Sequence, residues 1–147
     1  MRHMVPIVVV VGTLLAVPVR VSAQRTTDVS EQDPALGTWQ LNVAKSVYNT
    51  LQRPVSQTRT FEKHPLGVKA TMKTVYPDGR STTVESVYDY DNQEHQATGL
   101  EEGDVIRVKR IDAFTVEARL SSAGRETGVF RREISKDGKQ MTVTLGV

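Results

Sequence analysis

The sequence predicts an all-β fold, a single antiparallel up-and-down barrel of about eight strands. Three observations carry this expectation. Turn signals recur about every 11 residues, the spacing of a strand meander. Between them apolar and polar residues alternate with period two, as in a sheet with one buried face. Helical periodicity is scarce, and a long up-and-down sheet removes its exposed edges best by closing on itself.

The chain opens with a segment outside that fold. Met1-Arg2-His3-Met4 is a short basic start, and Val5 to Val19 is an apolar run broken only by Pro6, Gly12, Thr13 and Pro18. Val21-Ser22-Ala23 then places small residues where a signal peptidase reads. Residues 1–23 are therefore expected to be a secretory signal peptide, cut between Ala23 and Gln24. The apolar run is too short and too interrupted for a transmembrane helix. Residues 24–35 are polar and acidic, with Pro34, and read as a disordered mature N-terminus. Residues 36–147 form the expected barrel domain, periplasmic or secreted.

The turns come first in defining that domain. Pro65-Leu66-Gly67, Pro77-Asp78-Gly79, Asp91-Asn92, Glu102-Gly103-Asp104, Ala123-Gly124 and Lys136-Asp137-Gly138 have turn chemistry. They separate nine candidate strand segments, at residues 37–44, 55–63, 67–76, 80–91, 93–98, 104–112, 114–121, 125–135 and 139–146. Val68, Ala70, Met72 and Tyr76 alternate with Lys69, Thr71 and Lys73. Val84, Ser86, Tyr88 and Tyr90 share a face opposite Glu85 and Asp89. Phe114, Val116, Ala118 and Leu120 alternate with Thr115, Glu117 and Arg119, and Met141, Val143 and Leu145 with Gln140, Thr142 and Thr144. Only Lys45 to Gln52 could form a short helical turn, stopped near Pro54.

Composition removes several function classes. The chain has 19 Lys and Arg against 17 Asp and Glu. With Arg2 and Arg20 removed in the leader, the balance is 17 against 17, so no basic footprint for nucleic acid remains. There is no cysteine, which excludes thiol chemistry, disulfides and a lipidated cysteine anchor. No stable membrane anchor is expected after cleavage. His64 and His95 lack metal-ligand spacing, so no metal is expected. The acidic turns miss the calcium-loop offsets. No Gly-x-Ser-x-Gly, phosphate-loop or dinucleotide glycine pattern occurs, so neither catalytic residues nor cofactors are expected.

Gly37-Thr38-Trp39 opens the first expected barrel strand, and Gly-x-Trp at that place resembles the lipocalins and related calycin barrels. Residues Gly37 to Ser46, Val108-Lys109-Arg110-Ile111-Asp112 and Ser135-Lys136-Asp137-Gly138-Lys139 also resemble a set of small exported bacterial lipocalin-like proteins of unassigned function. The resemblance implies a barrel with a small apolar ligand and carries no catalytic residues. It further implies that Trp39 plugs the closed end of the barrel beneath an arginine from a late strand. Arg132 is the candidate, because it shares a face with Phe130 and Ile134, and the stacking would be a cation–π contact. Two departures stand out. Lys45 to Pro54 is too short for the helix-turn-helix lid of fatty-acid-binding proteins. Relatives in the exported set continue past the Lys136–Lys139 hairpin with a further strand, whereas this chain stops at Val147. The resemblance thus implies either a shortened chain or a barrel that closes differently, with an open C-terminal edge.

The expected function is binding of a small apolar or amphiphilic molecule among Met72, Tyr88, Val108, Val116 and Phe130. An eight-stranded barrel has room for one small ligand or for its own side chains. If those side chains fill it, the protein acts through its surface as an envelope interaction module, with a partner the sequence does not name. An enzyme on the same scaffold is the weakest alternative. Arg110 shares a face with Ile106 and Val108 and could hold a ligand carboxylate. The segment is apolar on both faces, which favours the other orientation, with Arg110 in solvent. Tyr76, Tyr88 and Tyr90 belong either to the cavity wall or to its rim.

Overall fold

The computed structural model describes the backbone of residues 7–11 and all of residues 33–48, 53–99 and 104–146. The expected cleavage site, residues 24–32 and Glu101-Glu102-Gly103 lie outside the described residues. No described helix is long and apolar enough to cross a membrane.

The fold is all-β. The first strand is β1 (Ile7–Val11), within the expected leader. The barrel strands follow as β2 (Gly37–Gln40), β3 (Ser56–His64), β4 (Gly67–Val75), β5 (Ser81–Tyr88) and β6 (His95–Thr98). Then come β7 (Val105–Arg110), β8 (Thr115–Ser122), β9 (Arg125–Ile134) and β10 (Gln140–Gly146). Strands β2 to β10 pair antiparallel, each with the next in sequence, as a nine-stranded up-and-down meander. They curl into a nearly closed barrel. β1 adds to the outer side of β10, with Ile7 opposite Thr144 and Val11 opposite Gln140. The two ends of the sheet, β1 and β2, come close without a hydrogen-bonded ladder, which leaves a seam.

The expected punctuation places the turns. Gly79, Gly124 and Gly138 adopt positive φ of 81°, 74° and 71°, which glycine does without steric cost. The described helical turn is a single 3-10 turn at Val43–Lys45, capped by the Asn42 side chain, which accepts from the Lys45 N–H. Of the turn expected over Lys45 to Gln52, residues 46–48 are not helical and residues 49–52 lie outside the described residues. The thinnest part of the sheet is β6, which pairs through two residues on each side. The strand expected over 80–91 ends at Tyr88, and Asp91 makes an isolated bridge to Lys109.

Alternation sorts most side chains as expected, except at the start of β8, where Phe114 is exposed and Thr115 is buried. Val68, Val108, Val116, Ala118, Met141 and Val143 are buried, the last two completely. One boundary differs. Asp33 to Ala35 fall in the polar N-terminal segment by composition, yet Ala35 is fully buried and Asp33 is only 8% exposed. The Asp33 side chain accepts the Ala35 N–H at 2.9 Å, and its carbonyl accepts the Leu36 N–H. That Asx-type turn tucks Ala35 beneath Trp39, whose indole N–H donates to the Ala35 carbonyl at 2.8 Å.

Gly67 is fixed by contact as well as by torsion. Its φ is +123°, and a Cβ there would lie 2.3 Å from the Tyr88 carbonyl oxygen. That oxygen belongs to the neighbouring strand and cannot swing away. Gly79 also has positive φ, but its Cβ position is open. Gly67→Ala is therefore expected to lower unfolding free energy by at least about 2 kcal/mol, against about 1 kcal/mol for Gly79→Ala. Urea denaturation of the two variants checks the order, and equal losses would contradict it.

Candidate binding cavity

A cavity of about 380 Å³ runs inside the barrel. Met72, Tyr88, Val108, Val116 and Phe130, the five residues expected to face a ligand, all line it. Most of the remaining wall is aliphatic or aromatic, including Phe61, Val84, Ile106, Leu120 and Leu145. The polar minority is arranged with a bias. Among the described residues two arginines, Arg59 and Arg132, line the cavity, and no aspartate or glutamate does.

Arg132 rises from β9 at the closed end and is only 4% exposed. Its guanidinium lies over the Phe61 ring, 4.7 Å from the centre. The ring beneath it was expected to be Trp39. Trp39 is indeed buried, at 2% exposure, but its polar handle is directed to Ala35 and the described cation–π contact of Arg132 is with Phe61. Nη2 of Arg132 donates to the Tyr90 hydroxyl at 3.1 Å, and Nη1 donates to Tyr88 at 3.5 Å. Nε is buried with no hydrogen-bond partner among the described residues.

Tyr90 passes the interaction on. Its hydroxyl donates to Asp33. Burial pushes the Tyr90 pKa well above the ordinary tyrosine value against the pull of Arg132, with Tyr88 and Asp33 adding to the rise. Tyr90 is thus held as a neutral donor. Burial alone would lower the Arg132 pKa, but Tyr88, Tyr90 and Asp33 outweigh it and hold the guanidinium charged. Tyr88 and Tyr90 meet edge to face at 5.8 Å, which fixes both rings.

Arg110 takes neither of the two places expected for it. It lies over the Tyr90 ring at 4.0 Å, and Nη2 is 3.6 Å from the Asp33 carboxylate. It does hold a carboxylate, but one that belongs to this chain, at the outer side of the barrel end. Asp33 is therefore the counter-ion of the closed end, in contact with Arg110 directly and with Arg132 through Tyr90.

Arg59 has no such partner. Its Nε donates to the Gln57 side-chain oxygen at 3.0 Å, and the Gln57 amide donates to Thr74 at 3.1 Å. Among the described residues no carboxylate lies within ion-pair distance of Arg59. Arg59 is half-buried and lines the cavity. Burial, with the like charge of Arg132, pushes its pKa down to about 10, so it remains a cation at neutral pH.

Sequence reasoning missed Arg59, Gln57, Thr74, Asp33 and Tyr90's relay role. The inward face of β3 reads Gln57, Arg59, Phe61, which resembles a solvent face in a pattern search. The histidines serve turns. His64 accepts the Leu66 N–H, and His95 pairs with Asp91 at 2.9 Å, which lowers the Asp91 pKa. Among the described residues no three histidine, aspartate or glutamate side chains converge as metal ligands.

No family model, curated protein or solved structure matches this chain.

Tyr90→Phe removes one hydroxyl and keeps the ring. It deprives Arg132 of an acceptor and Asp33 of a donor, both buried. The expected loss of unfolding free energy is about 1–3 kcal/mol, measured by urea denaturation. A loss below about 0.5 kcal/mol, the usual effect of surface changes, would show that the relay does not hold the closed end.

Proposed function

We propose that this chain is an exported, lipocalin-like protein that binds a small amphiphile with an anionic head and an apolar tail. The single observation that carries this reading is the charge of the cavity: among the described residues, two guanidiniums in its wall and no carboxylate. Arg59 is half-buried with no carboxylate within ion-pair distance among the described residues, and an anion that enters beside it gains a charge-assisted partner. The unpartnered Nε of Arg132 and the unpaired Arg59 supply the donors. Guanidinium bonds to carboxylate or phosphate are among the strong, geometrically specific ones. The volume, about 380 Å³, falls within the range of small-molecule sites. The mostly apolar wall suits an alkyl or aryl tail. The Gly37-Thr38-Trp39 opening and the meander support the lipocalin-like assignment. The leader-like residues 1–23 support export.

The test uses anilinonaphthalene sulfonate as a fluorescent occupant, displaced by decanoate or by decanol. Decanoate is expected to displace the probe more strongly than decanol. Arg59→Gln is expected to weaken decanoate by about 10–100-fold, the equivalent of one charged hydrogen bond, and to leave decanol nearly unchanged. Equal losses for both, or no loss for decanoate, would remove the anionic-head reading.

Ala70 lines the same wall. Ala70→Phe is expected to abolish binding of decanoate and decanol alike while changing stability by less than about 1 kcal/mol, because the ring enters empty space. A destabilisation of about 1–3 kcal/mol without loss of binding would be the signature of overpacking in a filled barrel. Denaturation and probe titration of the one variant separate the two outcomes.

A further inference from the structure

We propose that the outer edge of β10 is a self-docking surface, on which two processed copies pair β10 to β10, antiparallel, about a two-fold axis at Val143. The proposal rests on the export part of the reading above, not on its ligand. Within the chain that edge is covered by β1, from Ile7 opposite Thr144 to Val11 opposite Gln140. β1 lies inside the segment expected to be removed. Cleavage after Ala23 takes away the strand that, among the described residues, covers this side of β10. An unpaired strand edge is a template for another chain.

The edge has none of the features that usually blunt one. Gln140-Met141-Thr142-Val143-Thr144-Leu145-Gly146 contains no charge and no proline. The other end of the sheet, β2, is only four residues long and offers a poorer template.

The sequence of β10 fits a copy of itself. Antiparallel pairing centred on Val143 is the register that uses all seven residues. It sets Thr142 opposite Thr144 of the second copy and Met141 opposite Leu145. Apolar side chains then stay on the inner face, where Met141 and Val143 are already fully buried. The threonines meet on the outer face as Thr–Thr cross-strand pairs, a favourable combination. Backbone direction agrees. The Gln140 carbonyl accepts the Ser135 N–H at 2.9 Å, on the β9 side. In an antiparallel ladder the groups alternate, so those of Met141, Val143 and Leu145 point to the free edge. Under the Val143 axis these three pair only with one another.

The experiment uses protein exported by its host from the full precursor. Intact mass locates its N-terminus, and light scattering coupled to size exclusion gives its oligomeric state. The chain has no native cysteine, so Thr142→Cys and Thr144→Cys report on register without background. The two sites face each other across a non-hydrogen-bonded pair, with Cα atoms about 4.5 Å apart, within disulfide reach. The expected result is a processed dimer in which the mixed variants cross-link at least tenfold more than either variant alone. A processed protein that is monomeric overturns the docking proposal and leaves export standing. A processed dimer in which single variants cross-link as well as the mixture overturns the Val143 axis. A product that retains Ile7–Val11 overturns both cleavage and docking, because the edge is then filled in cis.

Discussion

The burial of Arg132 is the constraint on which the rest of the molecule depends. A guanidinium removed from water in the closed end of a barrel carries a penalty of several kcal/mol unless its charge and its N–H groups are met. Phe61 meets the face of the cation, and Tyr88 and Tyr90 meet two of its nitrogens. Tyr90 can serve only if its own proton has somewhere to go, and Asp33 receives it. Asp33 is in turn anchored by the turn that carries Ala35 beneath Trp39. One buried cation thereby dictates the conformation of the chain before the first barrel strand, the orientation of two tyrosines and the position of the tryptophan.

The same constraint gathers a polar cluster at one end of the barrel. Asp33, Tyr90 and Arg110 pack together beyond Arg132, outside the lining of the cavity. The cavity extends the other way, toward Tyr76, Val84, Leu120 and Leu145. Along β3 and β4 that direction runs from Phe61 opposite Ala70, through Arg59 opposite Met72, to Gln57 opposite Thr74, so apolar and polar groups alternate in the wall. The two guanidiniums therefore sit at two places in the wall, Arg132 over Phe61 and Arg59 at the strand-pair position opposite Met72.

How much of this was legible in the sequence follows from what periodicity reports. Alternation with period two tells which residues share a face, and it placed Met72, Tyr88, Val108, Val116 and Phe130 together on the inner one. It does not tell which face is inside when both are mixed. Gln57 and Arg59 point inward with Phe61, and by polarity alone they belong outside. Arg110 shows the complementary problem. Its placement depends on Asp33, 77 positions earlier in a segment whose polar composition reads as unstructured. A buried carboxylate is indistinguishable from a solvated one until its partners are known. The pairing of Arg132 with Phe61 and not Trp39 is of the same kind, since both rings lie at the same barrel end and only the register of β3 chooses between them.

Closure of the sheet is the remaining consequence. An up-and-down meander becomes edge-free only when its last strand pairs with its first. Here β2 is too short and too occupied with holding Trp39 over Ala35 to offer β10 a full ladder, and the structure fills the space with β1 instead. The Trp39 plug and the open seam are therefore two results of one arrangement. The chain that folds back to neutralise Arg132 uses up the start of the first barrel strand, and the last strand must find its partner elsewhere. The side of β10 that pairs with β9 is fixed by six matched residues, from Met141 with Ile134 to Gly146 with Val129. Its other side carries no charge to repel a partner. The cation at one end of the barrel and the seam along its side are thus linked through the same short stretch, Asp33 to Gln40.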